Sequence, residues 1–139
     1  MLVNELRAER GLKPLEREAR LDAAADYFAG YLAATDKLDH LADGNTPATR
    51  VRQRGYGYCA IAENIAYEYD SRGYTPERLA RNFVDGWRNS PTHRANMLNP
   101  ALTETGIGIA RNAKNEYYAV QVFGRPVVPG AQKGAACPR

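Results

Sequence analysis

The fold is decided by residues 87–98, WRNSPTHRANML, in the second half of this 139-residue chain. Ser90-Pro91 cannot continue the helix that precedes it, so we predict that one helix ends there. A second, short helix is predicted from His93 to Leu98, and Asn99-Pro100 closes it. The stretch therefore predicts a helix, a sharp break and a helical turn that begins with a histidine.

Helical patterns continue upstream of this stretch. Thr75-Pro76 provides an N-cap and a proline at the first helical position, and apolar residues four apart give the helix one buried face. We predict three further helices: a short one ending at Gly11, a long one from about Glu16 to Thr35, and a short one around Ala48 to Arg54.

Strand patterns close the domain. Residues 105–110 and 117–123 alternate in side-chain character, and residues 112–115 between them predict a hairpin turn. In the second of these strands, Tyr117, Ala119, Gln121 and Phe123 share one face, and Tyr118, Val120 and Val122 share the other. Ala60 to Tyr67 is a candidate third strand. The expected class is α+β, with helices packed on a small antiparallel sheet.

Composition is that of one globular domain spanning residues 1–139, with 44% hydrophobic and 25% charged residues. Nineteen Lys and Arg face sixteen Asp and Glu, a net charge of +3, and the two signs are mixed along the chain. This scatter argues against nucleic-acid binding, and the apolar runs are too short for a transmembrane segment. Residues 1–10 do not match a signal peptide, so either the protein is cytoplasmic or a leader has been removed.

The two cysteines, Cys59 and Cys137, exclude a zinc site made of cysteine alone. A disulfide between them would close a long loop and tie down the Gly/Pro-rich tail, residues 125–139. Two unrelated thiols are the alternative, because disulfides follow the redox compartment more than the spacing.

Candidate site residues are few. The chain has two histidines, His40 and His93, and each lies at a predicted element boundary, where an imidazole can face a cleft. Glu63 lies in the apolar run AIAENIA, so its carboxylate must be paired or functional. Neither the spacing of the histidines nor composition proves a shared site, since both residues could be structural.

Local strings carry a stronger signal. Five of them occur in the order and spacing of the CAP superfamily (cysteine-rich secretory proteins, antigen 5 and pathogenesis-related proteins): 4-NELR-7 with 11-GLKPL-15, 39-DH-40, 63-ENIA-66, 87-WRNSPTHRANML-98, and 105-TGIG-108 with residues 117–124. The chain resembles the short bacterial branch of this superfamily up to Gly124.

The resemblance implies an α-β-α sandwich, secretion or export to the periplasm, and a central cleft formed by two histidines and two acidic residues. His40 and His93 match the histidines, and Glu63-Asn64 matches the Glu-Asn motif. Ser90 stands where many members have a second glutamate. The resemblance also implies a weak site for a divalent metal, such as zinc, between His40 and His93.

Three functions follow as hypotheses. The first is an exported, monomeric binding protein whose cleft, with Glu63, Asn64 and Ser90, holds a metal and a small apolar or peptide-like ligand. The second is a metal-assisted hydrolase or peptidase with Glu63 as general base. In the third, the histidines and Glu63 form only a polar core network. The absence of a second acid favours binding.

Overall fold

The computed structural model describes residues 1–128 and 137. It has three layers, with helices on both faces of a sheet. In chain order the elements are α1 (Leu2–Glu9), β1 (Glu16–Arg17), α2 (Ala19–Thr35), α3 (Pro47–Gln53), β2 (Tyr58–Tyr69), α4 (Pro76–Arg88), α5 (Pro91–Met97), β3 (Glu104–Arg111) and β4 (Glu116–Pro126). The predicted α+β sandwich is confirmed.

The helix break at residues 89–90 has the predicted form. Thr75 caps α4 through its side chain, which accepts from the Arg78 NH, and α4 ends at Arg88. Helix α5 begins at Pro91, two positions before the predicted start at His93, because proline suits the first helical position. His93 therefore lies in the first turn of α5.

The sheet order is β1-β3-β4-β2, with β3–β4 and β4–β2 antiparallel. The predicted start of the long helix at Glu16 is wrong. Glu16 and Arg17 do not begin the long helix but form β1, which pairs in parallel with Glu104 and Thr105, so the sheet is mixed. Helix α2 begins at Ala19, where the Glu18 carboxylate accepts from the Arg20 NH and caps it.

The two faces of β4 separate two apolar cores, as the alternation predicted. Tyr118, Val120 and Val122 face α2 and α3, while Tyr117, Ala119 and Phe123 face α1, α4 and α5. Helix α2 lies directly on β3. A Cβ at Gly106 or Gly108 would clash with the α2 backbone, so only glycine permits this approach.

A disulfide joins Cys59, near the start of β2, to Cys137. The candidate bond is therefore present, and it fixes one residue of the tail against the sheet; residues 129–136 and 138–139 lie outside the described part of the chain. No helix in the described residues is long and apolar enough to cross a membrane.

Candidate functional site

The candidate site is built around strand β2, which forms one edge of the sheet. Side chains of adjacent strand residues point to opposite faces, so Glu63 and Asn64 serve different layers. Glu63 contacts His40 and Arg50 in the α2–α3 layer, and Asn64 contacts His93 and Asn96 of α5. The edge strand thus links the elements that carry the two histidines.

Glu63 is held by a buried ion pair. Its side chain is 1% exposed, and its two carboxylate oxygens accept from Arg50 Nη2 at 3.1 and 3.0 Å. Arg50 also donates to Asp43 Oδ1 at 2.8 Å and to the carbonyls of Asn45 and His40 at 2.9 and 3.0 Å. Its guanidinium stacks on Phe28. These bonds offset the desolvation of the charges and fix the loop that carries His40.

Asp43 completes this network and stays ionised. Burial alone would raise the pKa of Asp43, but the Asn45 NH, the Arg50 guanidinium and the Tyr27 hydroxyl act against burial and lower it overall. The Tyr27 hydroxyl donates to Asp43 Oδ2 at 3.1 Å. Two carboxylates therefore flank one buried guanidinium.

His40 lies between this network and solvent. Its Nδ1 donates to Glu63 Oε1 over 2.7 Å, and its side chain is 47% exposed. A carboxylate on Nδ1 orients the ring and, in the neutral imidazole, places the lone pair on Nε2. His40 thus has the arrangement of a carboxylate-supported metal ligand.

His93 is partly buried. Its Nδ1 is 2.8 Å from Ser90 Oγ, and the Ser90 hydroxyl is also within 3.4 Å of Thr92 Oγ1. Burial, and then the charge of His40, lower the pKa of His93 below its ordinary value of 6.5. The neutral form therefore dominates at pH 7, and His40 is near enough to act on it electrostatically.

Asn64 ties α5 to the sheet. Its fully buried amide donates to the His93 carbonyl at 3.1 Å and accepts from Asn96 Nδ2 at 2.9 Å. Arg7 of α1, itself buried, donates to the carbonyls of Met97 and Asn99 at the other end of α5. Both ends of the short helix are therefore fixed, and His93 with them.

These contacts connect residues of three of the sequence strings, 39-DH-40, 63-ENIA-66 and 87-WRNSPTHRANML-98. A sequence profile of the cysteine-rich secretory protein family, abbreviated CAP, matches residues 1–123. The chain belongs to the CAP family. The family match ends within β4, and the tail beyond it is outside the matched region.

The chain is also similar to a sequence relative and to solved structures. The uncharacterised protein YkwD of Bacillus subtilis is 32% identical over 108 residues, which are 77% of this chain and 39% of YkwD, so the chain spans about two fifths of that relative. An outer surface protein of Borrelia burgdorferi has a TM-score of 0.77 at 25% identity, covering 89% of this chain and 86% of its own. An extracellular SCP-domain protein of Bacillus anthracis has a TM-score of 0.69 at 25% identity, covering 89% and 38%.

The hydrogen-bonded network contains residues that the sequence analysis named and others that it did not. Glu63 contacts His40, Asn64 and Ser90 each contact His93, and the charge of His40 reaches His93. Arg50, Asp43 and Asn96 also belong to the network, and sequence reasoning missed all three. The sequence contained one signal for a residue such as Arg50. Glu63 lies in an apolar run, and a carboxylate buried in apolar surroundings requires a cationic partner.

Proposed function

We propose that this CAP protein is an exported binding protein in which His40 and His93 hold a divalent metal ion through Nε2, with a small apolar or peptide-like ligand bound in the same cleft. The proposal is supported above all by the Nδ1 contacts: Glu63 occupies this atom on His40, and Ser90 occupies it on His93. Such contacts orient metal-binding imidazoles.

In this proposal the metal has two protein ligands, the imidazoles of His40 and His93. Within residues 1–128 and 137, no group of three or more His, Cys, Asp or Glu side chains is arranged around a common metal position. Glu63 orients His40 instead of binding the ion itself, because its oxygens are already used by Arg50 and His40. A bound ion would supply a positive charge and exchangeable positions for ligand oxygens.

The burial of Glu63 gives less support to a hydrolase. A general base must reach a water and accept its proton, but the Glu63 side chain is 1% exposed and paired with Arg50. A carboxylate in that position can orient a neighbouring side chain but is out of reach of a substrate water. Binding is therefore the function that the geometry favours.

Export is part of the proposal. It is supported by the similarity to an outer surface protein and an extracellular protein, and by the disulfide between Cys59 and Cys137. Disulfides persist mainly in oxidising compartments outside the cytosol. In a reducing compartment the bond would be reduced, and the long loop would no longer be closed covalently.

Untagged protein provides a clean test, because the chain has two histidines and both are in the candidate site. Isothermal titration with Zn²⁺ at pH 7.5 should show binding to the wild type and to Asn82→Ala, a control in α4. The double variant His40→Ala/His93→Ala should not bind. Equal heats from wild type and double variant would contradict the proposal.

Two further results would favour the other functions. Cleavage of a peptide library in the presence of zinc, abolished by Glu63→Gln, would establish the hydrolase. Loss of thermal stability in both histidine variants, with no zinc binding by the wild type, would leave only a polar core network.

A further inference from the structure

A basic cavity lies where the loop between β2 and α4 meets the end of β3. It is open to solvent and has a volume of about 500 Å³. No aspartate or glutamate is among the described residues that line it. Its lining shares no residue with the cleft of His40 and His93, and it consists of three arginines and four uncharged residues: Arg72, Arg78, Arg111, Gly73, Tyr74, Thr75 and Tyr117.

The lining residues contact one another across three elements and the loop. Arg111 of β3 pairs in register with Tyr117 of β4. The Tyr117 ring packs edge to face with Tyr74, with the ring centres 5.3 Å apart. The guanidinium of Arg78, in α4, lies 4.7 Å from the centre of the Tyr74 ring. The loop, α4 and two strands therefore form one continuous wall.

Asp70 holds two of the arginines in place. Its Oδ2 accepts from Arg78 Nη2 at 3.0 Å, and its Oδ1 accepts from the Arg72 NH at 2.9 Å and from Arg72 Nε at 3.4 Å. The Arg72 NH, followed by the two guanidinium groups, lowers the pKa of Asp70 to about 2, so this carboxylate is ionised at neutral pH. Arg78 is restrained by both Asp70 and Tyr74 before any ligand binds, which reduces the entropy lost on binding.

Several hydrogen-bond donors of the cavity are unused. The side chain of Arg111 is exposed and forms no hydrogen bond or ion pair with the residues that the structure describes. The Tyr117 hydroxyl lies beside Gly73 and has no hydrogen-bond partner within residues 1–128 and 137. A guanidinium has five N–H donors and no acceptor, so Arg72 and Arg78 also keep donors that Asp70 does not use. The cavity therefore suits a ligand that supplies several acceptors and negative charge.

We propose that this cavity binds a phosphate monoester of a small organic molecule, with the phosphoryl oxygens accepting from Arg72, Arg78 and Arg111. A phosphate monoester carries a charge of about −1.5 to −2 at pH 7 and presents three acceptor oxygens. Each oxygen accepts from a different guanidinium, and the planar fork of arginine matches phosphate oxygens in pairs.

Other anions use these groups less completely. A carboxylate has two oxygens, so the three arginines cannot each have an oxygen of their own. A sulfate ester has three terminal oxygens but a single negative charge, whereas Asp70 is the only carboxylate that binds Arg72 and Arg78 among the described residues. Glu68 lies in register with Tyr117 on β2 and outside the lining, so it reduces the positive excess without removing it.

The cavity volume indicates that the phosphate is part of a larger molecule. A phosphate group has five non-hydrogen atoms, and at about 30 Å³ for each, the volume that a water molecule takes in the liquid, it fills only part of the cavity. The remaining space lies beside Tyr74 and Gly73 and is available to the organic part. Inorganic phosphate would leave that space to water and should bind more weakly than a monoester.

Four probes test the charge and shape that the cavity requires: phenyl phosphate, phenyl sulfate, benzoate and inorganic phosphate. Each is titrated into ¹⁵N-labelled protein in metal-free buffer at pH 7.5 and followed by nuclear magnetic resonance. Phenyl phosphate should bind most tightly, about tenfold more tightly than phenyl sulfate, and should shift the amide signals of residues 72–75 and 111–117. Equal affinity for the two esters, equal affinity for inorganic phosphate, or shifts confined to other residues would overturn the proposal.

Arg111→Gln is the decisive variant, because this arginine has no side-chain partner whose loss would disturb folding. Its affinity for phenyl phosphate should fall about tenfold, as expected for one charge-assisted hydrogen bond. Arg10→Gln, the same change at an exposed position after α1, should bind like the wild type. Circular dichroism checks that each variant is folded. Unchanged affinity in folded Arg111→Gln, or an equal loss in Arg10→Gln, would contradict the proposed site.

Arg78→Lys tests the geometry separately from the charge. Lysine keeps the positive charge but lacks the planar group that lies over Tyr74, so phenyl phosphate should bind more weakly. The double variant His40→Ala/His93→Ala should retain phenyl phosphate binding in full. Loss of zinc binding with phenyl phosphate binding intact would separate this inference from the proposed metal site, whereas loss of phenyl phosphate binding in the folded double variant would overturn the inference.

Discussion

Glu63 and His40 form a hydrogen bond of 2.7 Å between a carboxylate that is 1% exposed and an imidazole that is 47% exposed. The buried partner is fixed by Arg50, and the exposed partner takes its orientation from it. The protein interior thus determines the geometry of a surface histidine. This relationship makes Glu63 the residue through which stability and binding should be coupled.

Glu63→Gln should reduce both properties. It leaves Arg50 with one buried carboxylate partner, Asp43, and we expect a loss of about 3 kcal/mol in the free energy of unfolding, the lower end for a broken buried ion pair. Zinc affinity should fall about 10-fold to 100-fold because His40 loses its orienting carboxylate. Urea denaturation and titration calorimetry measure the two effects. Glu68→Gln on the same strand is the control, and a zinc affinity unchanged by Glu63→Gln would contradict the orienting role.

Asn64→Ala should loosen α5. The substitution removes the donor to the His93 carbonyl and the shorter of two bonds from Asn96 Nδ2, which keeps the Glu63 carbonyl at 3.4 Å. A lost bond to a buried group costs about 1 to 3 kcal/mol. Amide hydrogen exchange should accelerate more in α5 than in α4. Asn82→Ala, in α4, should leave both rates unchanged; a uniform acceleration across the chain would indicate global destabilisation instead.

The lowered pKa of His93 predicts a dependence of stability on pH. As the pH falls through about 6.5, the unfolded chain binds a proton at His93 that the folded chain does not, so the folded state loses stability. Above that pH both states hold neutral imidazole and the effect vanishes. Between pH 7.5 and 5.0, urea denaturation should show a larger loss for the wild type than for His93→Gln.

The two causes of that shift can be separated by nuclear magnetic resonance. In His40→Ala, the pKa of His93 should rise, since one positive neighbour is gone, but stay below 6.5 because burial is the larger cause. A wild-type value at or above 6.5 would show that the imidazole is better hydrated than the structure indicates.

Removing the disulfide should destabilise the whole domain. Cys59 and Cys137 are separated by 78 positions, and the chain-entropy model gives about 4 to 5 kcal/mol for closing a loop of that length. Comparing Cys59→Ser/Cys137→Ser with the wild type by urea denaturation checks the value. The wild type treated with a reducing agent should match the double variant, and equal stability of oxidised and reduced protein would contradict the prediction.

Much of the fold follows from local pattern. The alternation in β4 assigns its side chains to the correct cores, because a strand buried on both faces still has a period of two. Strand β1 could not be predicted in this way, since two residues have no measurable period and their partners, Glu104 and Thr105, are distant in the chain. The acidic residues before α2 indicated a helix start in this region, and Glu18 does cap the helix.

The site is a different case. The grouping of His40, Glu63 and His93 came from the resemblance to a family, since nothing local joins residues so far apart. Arg50 was missed because a buried arginine and an exposed one look alike in a sequence; its neighbours Arg52 and Arg54 are exposed. Its burial results from tertiary contacts with Phe28, Asp43 and Glu63.

The irregular pairing of β2 between Tyr58 and Ala60 adds a constraint on how this protein can evolve. Everything downstream of that bulge is in phase with β4, so that Glu63 and Asn64 reach opposite layers. A single residue inserted or deleted between Ala60 and Glu63, with Ala60 still paired to Arg125, would exchange the two side chains, leaving an amide opposite Arg50 and a carboxylate under α5. Length changes should therefore be tolerated in the surface loops, while this short segment accepts replacement of its residues but no change in their number.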